Sequence, residues 1–308
     1  MTSTNILCCP ACSGELQDEG SKQVCSNCGT AYALEEGVPN FVIDNGGIDE
    51  SEIKEIRELI GTMREMRGEN LSVIDRTSLP NRKHTKARYL SELKGLEDLI
   101  RKHGDAFKDA RVLEFSCGAG RGARIAASLG AREVWMADIV SPPVRYCLDV
   151  LKDAFPDTSF QGVVAASDTV PFRDDTFDVL FIYSSAHHYP NLLEFLAKGT
   201  QISRNVFIIA EPADLGMWQK ILEFFNFSTE YGDATTDRID EASITDAFKG
   251  SNIQVKIRRC NQYFPKWFDP LGNFYPFYRA WFVLLSALDH ILPKRWQHSM
   301  NIYLTRSK

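Results

Sequence analysis

Three groups of residues in this 308-residue chain have the types and spacing that chemistry requires. The first is the run from Glu114 to Gly122, Glu-Phe-Ser-Cys-Gly-Ala-Gly-Arg-Gly. Glycines at such a turn let a ligand lie against bare backbone, and the N–H groups opening the next helix aim at the same place. The second is the pair of knuckles Cys9-Pro-Ala-Cys12 and Cys25-Ser-Asn-Cys28. Each knuckle can place two thiolates on one metal ion, and four thiolates close a tetrahedral site. The third is His187-His188, whose imidazoles can accept a proton near neutral pH. Tyr183, Ser184 and Glu211 are further pocket candidates.

The glycine turn works only between a strand and a helix. Val112 to Phe115 is a short apolar run before it, and small and apolar residues follow from Arg121 to Leu129. A second apolar run ends in Asp138, where a carboxylate at a strand tip can accept from both hydroxyls of a ribose. The alternation continues, with strands expected near 111–115, 133–138, 158–164, 177–183 and 205–211 and helices near 121–129, 143–154 and 190–203. Such order implies a parallel sheet with right-handed crossovers and a ligand over the carboxyl ends of its strands. Farther on, 214–225 and 240–248 read as helices, Ile253 to Arg258 as a sixth strand and Asn301 to Arg306 as a seventh.

The turn Glu114-Phe-Ser-Cys-Gly-Ala-Gly120 resembles the Glu-Leu-Gly-Cys-Gly-Thr-Gly turn of class I S-adenosylmethionine-dependent methyltransferases of the type 11-like group. Val170-Pro-Phe-Arg-Asp-Asp-Thr-Phe-Asp, Ala186-His-His-Tyr-Pro-Asn and Val206-Phe-Ile-Ile-Ala-Glu-Pro resemble that family's later blocks, in the same order. The resemblance covers residues 111–212. It implies an α/β fold: a doubly wound, seven-stranded, mostly parallel sheet, Rossmann-like, whose seventh strand is antiparallel. It further implies that Glu114, Ser116, Cys117, Gly118, Gly120, Asp138, Ile139 and Tyr183 contact S-adenosylmethionine, and that His188 matches a common family histidine.

Two positions depart from the pattern. Ser116 replaces the first glycine of the turn, which demands either a negative φ or compensation of the strain. Ala166 stands where the family has an adenine-binding acid, leaving that contact to Ser167, Asp168 or backbone. The cofactor carries its methyl on a cationic sulfur, so the enzyme positions a nucleophile in line, about 3 Å from the methyl, and excludes water. His187 or His188 is then the candidate general base.

Residues 1–43, ending in Glu36-Gly-Val-Pro-Asn-Phe-Val, resemble a zinc ribbon of the kind fused to methyltransferases or supplied as a free activator. The expected ligands are Cys9, Cys12, Cys25 and Cys28, and closed coordination makes the zinc structural. Two disulfides are the alternative, disfavoured in a reducing compartment. Cys8 has the wrong spacing to join. Only Lys22 is basic between Cys8 and Cys28, which favours a structural role over RNA binding.

Residues 44–104 read as a helical linker or cap, with apolar faces over 53–63 and 89–100. Arg82, His84, Lys86 and Arg88 are charges there that could reach a ligand or simply face solvent. The methyltransferase domain is expected to occupy 105–308. It contains an insertion near 264–298 with eight aromatics between Trp267 and Leu285. This insertion is either a buried hairpin, a subunit contact, a greasy substrate pocket or a peripheral membrane anchor with Lys294, Arg295 and Trp296 at the interface.

A net charge of −6 supplies no basic field for nucleic acid. The start lacks a basic, apolar leader, so a cytoplasmic location, with or without membrane association, is the expectation. Three functions remain: methylation of a small-molecule or lipid-linked intermediate, methylation of an rRNA base, or a catalytically silent regulator built on the same fold.

Overall fold

The computed structural model describes residues 6–42, 54, 99–213, 239–260, 275–294, 297 and 299–307. At the amino end, β1 (Leu16–Asp18), β2 (Lys22–Cys25), β3 (Ala31–Glu35) and β4 (Val38–Pro39) form an antiparallel meander. The central sheet contains β5 (Arg111–Phe115), β6 (Glu133–Asp138), β7 (Ser159–Val164), β8 (Phe177–Tyr183), β9 (Ser203–Pro212), β10 (Ile253–Cys260) and β11 (Ser299–Arg306). Its order is β10-β11-β9-β8-β5-β6-β7. The strands from β9 to β7 are parallel, and β11 runs antiparallel to both its neighbours. The order reverses between β5 and β8, which opens a crevice at their carboxyl ends.

The central strands read as continuous apolar runs because both faces are covered. Leu113, Phe115, Trp135, Leu180 and Ile208 pack on one face, and Val112, Val134, Met136, Phe181 and Phe207 on the other. The described helices are α1 (Arg121–Ser128), α2 (Ser141–Ala154), α3 (Leu192–Ile202), α4 (Glu241–Ala247) and α5 (Tyr275–Ile291). Helix α2 opens two residues before the expected 143. Pro142 and Pro143 fill its first turn, where a missing N–H costs nothing and the fixed φ suits the helix. Asp240 caps α4 by accepting from Ala242 N and Ser243 N at 3.1 and 3.0 Å.

The amino-terminal meander is welded to the main sheet. Cys8 N donates to Pro171 O, Arg173 N to Ile6 O and Phe41 N to Val164 O, at 2.9, 3.0 and 2.8 Å. Leu7, Cys9, Cys25, Tyr32 and Phe41 share one apolar cluster with Trp135, Phe172 and Phe177. Arg145 of α2 pairs with Glu36. The small meander therefore meets the carboxyl end of the β7 edge, where Phe41 pairs with Val164.

Most of the expected cap lies outside the described residues, including Arg82, His84, Lys86 and Arg88, as do the 214–225 helix and the insertion's residues 264–274, 295, 296 and 298. The described part of the insertion is helical rather than a hairpin: α5 leaves Val283 and Ile291 64% and 75% exposed. Among the described residues no helix is long and apolar enough to cross a membrane.

Candidate functional site

The glycine turn hangs from two carboxylates. Glu114, buried at the end of β5, accepts from Gly122 N and Ala123 N at 2.6 and 2.7 Å. It thus satisfies two orphan donors of α1 and holds the helix start against the strand. Both its oxygens are engaged in bracing the cradle from beneath, and burial pushes its carboxyl up to about 8. Asp138, at the tip of β6, accepts from Gly118 N and Ile139 N, each at 2.9 Å. Cys117 N donates to Ala137 O and Gly120 N to Cys117 O, so the turn is stitched to β6 as well. A Cβ built on Gly118 would meet nothing within 4 Å, so open room lies beside the cradle's backbone. That room, the N–H groups around it and the Asp138 carboxylate fit a nucleoside cofactor.

Gly122 is required for close packing. An added Cβ would strike the Phe181 ring and lie 2.6 Å from Glu114 Oε1. Gly122→Ala is expected to cost about 3 kcal/mol, because neither a β8 core ring nor the bracing carboxylate can withdraw. Urea unfolding of the variant against the parent chain checks this.

Ser116 takes the left-handed conformation, with φ 57°. Its compensation is visible: Ser116 Oγ lies 2.8 Å from Tyr189 Oη, a bond from the first turn to the segment after β8. The sequence offered Tyr189 only as part of a family block, and nothing in spacing announced this contact. The Arg121 guanidinium lies 4.9 Å from the centroid of the Tyr183 ring, at the same mouth. After β7, Ala166 N donates to Thr169 Oγ1 at 2.9 Å, closing a turn with half-buried Ser167 and exposed Asp168 at its tip.

The two histidines differ. His187 is buried and His188 exposed, with ring centroids 4.1 Å apart. His187 Nδ1 lies 2.7 Å from Glu211 Oε2. Glu211, fully buried, also accepts from the amides of Ser185, Ala186 and His187 at 2.9, 3.0 and 3.3 Å. With the Glu211 carboxylate as the acceptor, Nδ1 is the donor in this pair, so of the two rings it is His187 that Glu211 orients.

The four expected cysteines converge, with all their sulfurs within 4.8 Å of one another. Cys12 and Cys25 are 3.4 Å apart and Cys9 and Cys28 3.7 Å, too far for disulfides. A tetrahedron of metal–sulfur bonds of about 2.3 Å has edges of about 3.8 Å, so the donor set fits a zinc ion. Tyr32 Oη lies 3.1 Å from Cys9 Sγ, and Cys28 Sγ is 3.2 Å from Thr30 Oγ1. Cys8 packs in the core and takes no part.

Residues 113–205 match the family described as a methyltransferase domain, and residues 3–37 match Trm112p-like proteins. A curated relative, "Probable phthiotriol/phenolphthiotriol dimycocerosates methyltransferase 2" of Mycobacterium ulcerans, is 30% identical over 95 residues, 30% of this chain and 35% of that protein. The match therefore spans little more than a third of that relative's length. The magnesium protoporphyrin IX methyltransferase of Synechocystis PCC 6803 aligns with 84% of this chain and 100% of its own, at 11% identity and a TM-score of 0.52. This likeness shows the fold. A SAM-dependent methyltransferase of Aquifex aeolicus aligns over the same shares at 13% identity and a TM-score of 0.45.

Proposed function

We propose that this chain, whose residues 113–205 match the methyltransferase-domain family and whose residues 3–37 match Trm112p-like proteins, is a class I S-adenosylmethionine-dependent methyltransferase that acts on a small-molecule or lipid-linked biosynthetic intermediate. The observation that carries the reading is the convergence, at the carboxyl ends of four adjacent parallel strands, of the glycine cradle, Asp138, and the Glu211–His187 pair. S-adenosylmethionine, when bound, supplies a methyl group on a cationic sulfur. Gly118 presents bare backbone to it, Gly120 lets the turn close against Cys147, Asp138 receives its ribose hydroxyls, Ile139 and Tyr183 flank the pocket, and Ser167 and Asp168 take the adenine edge. His187 Nε2 accepts the proton that the acceptor group loses as it takes the methyl, and Glu211 steadies the resulting imidazolium. Cys9, Cys12, Cys25 and Cys28 hold a structural zinc ion.

The acceptor class is supported by three points: a net charge of −6, which repels nucleic acid, the dimycocerosate in the relative's name, and the exposed apolar residues of α5. The chain is incubated with methyl-tritiated cofactor and, separately, with a total lipid extract and total RNA of its source cells. Label in the organic phase supports the proposal. Label only in precipitated RNA would replace it with the rRNA reading, and cofactor left intact by every fraction would favour the silent regulator.

A pH dependence follows from Asp138. Burial pushes its carboxyl from 3.8 up to about 6, against the pull of the Gly118 and Ile139 amides. Between those values the folded chain keeps a proton that the unfolded chain has lost, so this group's contribution to stability declines as pH rises through that window. Cofactor binding needs the carboxylate and runs the other way: affinity is expected to weaken about tenfold for each pH unit below about 6. Calorimetric titrations on either side of that pH measure it.

A further inference from the structure

Residues other than glycine adopt the left-handed backbone at the carboxyl ends of three neighbouring strands: Ser116 after β5, Ser184 after β8 and Ala210 within β9, with φ of 57°, 48° and 65°. Strain gathered at a site asks what over-determines it. Ser116 has its own hydroxyl on Tyr189, and Ser184 N donates to Ile209 O at 2.8 Å. Ala210 brings no polar side chain. Its amide donates instead to Asn301 Oδ1 of β11, at 3.0 Å. Asn301 is buried, and its Nδ2 donates to Tyr303 Oη at 3.2 Å.

The register explains what this bond achieves. Met300 pairs with Glu211 but Ile302 pairs with Ile208, so Ile209 and Ala210 together oppose Asn301. That is a β-bulge, one extra residue on β9. Before it the side chains alternate: Val206 and Ile208 pack in the apolar cluster containing Ala186, and Phe207 and Ile209 in the opposite one. Ala210 stays with Ile209, and Ala213 then returns to the Ala186 side. One extra residue flips all that follows to the other face. Without the bulge Glu211 would point towards Phe207 and Ile209, away from His187.

We infer that Asn301 is a positioning residue: by capturing the Ala210 amide it holds the bulge that turns Glu211 under the 185–187 segment and orients His187. The inference concerns orientation and rests on the reading of His187 as proton acceptor only for its catalytic meaning. The proton on His187 Nδ1, hydrogen-bonded to Glu211, gives a deshielded imidazole resonance in NMR spectra of the full chain, assigned by its disappearance in His187→Gln. Asn301→Leu is expected to lose this resonance. Asn301→Asp, which keeps the acceptor oxygen, retains it. Adding Ala210→Gly to Asn301→Leu restores it at least in part, since glycine holds positive φ without help. Should Asn301→Leu not fold, Tyr303→Phe serves: it loosens Asn301 without touching Ala210, and broadening of the resonance is expected. An unchanged resonance in Asn301→Leu, or in Tyr303→Phe where the former does not fold, overturns the inference and leaves the His187 reading intact. Conversely, if His187→Gln transfers methyl to the labelled lipid fraction as fast as the parent while Asn301→Leu still abolishes the resonance, the positioning role stands and the base assignment fails.

Discussion

Stripping the metal from the four thiols is expected to unfold the amino-terminal meander and to lower the melting temperature of the whole domain by about 10 °C or more. The ribbon alone is too small for its core to offset the entropy of ordering. Cys9 and Cys25 belong both to the four-thiol set that would hold the metal and to the cluster that contains Trp135 and Phe172. Losing the cross-link therefore exposes core that belongs to the main sheet, and it frees the pairings of Cys8 and Phe41 with Pro171 and Val164. Those pairings grip both ends of the turn carrying Ser167 and Asp168, so cofactor affinity should weaken as well. Scanning calorimetry with and without a chelator, and after readdition of zinc, reads the first effect. Cys9→Ser should reproduce it. A melting curve indifferent to chelator would mean that the ribbon stands without metal.

Replacing His187 by glutamine is expected to slow methyl transfer roughly 10²–10⁴-fold, the usual contribution of a positioned general base, while leaving cofactor affinity within a factor of about two. Glutamine fills similar space and can still face Glu211, so the three amides on that carboxylate keep their acceptor. Glu211 is a poorer test, because removing it orphans those buried donors and damages the fold. Single-turnover measurements on the labelled acceptor fraction separate the chemical step from binding. A rate equal to that of the parent chain would assign His187 to structure.

The fold was open to reading because its signals are local and repeated. Apolar runs of five to seven residues alternate with helical stretches, and β5, β6 and β8 match their expected spans residue for residue. The cysteine knuckles declared themselves by spacing, and their convergence follows from the meander. What stayed hidden is non-local. The Tyr189 bond that compensates Ser116 joins residues far apart in sequence, and a serine in a glycine slot looks the same with or without it. The bulge at Ala210 left no mark, since alanine gives no sign of a positive φ and an asparagine on another strand gives none of a shifted register. The difference between His187 and His188 is likewise tertiary, set by which ring reaches Glu211. Fusion of the ribbon core with the β7 edge could not be inferred from two motifs more than eighty residues apart.

The proposed function requires that the backbone from Cys117 to Gly120, closed by Asp138, be a seat for S-adenosylmethionine. Isothermal titration of the metal-loaded full chain with that cofactor tests it most directly. Saturable heat with a micromolar dissociation constant is expected, lost in an Asp138→Ala variant that keeps its circular dichroism spectrum. Absence of heat from the parent chain at millimolar cofactor, or affinity unchanged in that variant, would contradict it.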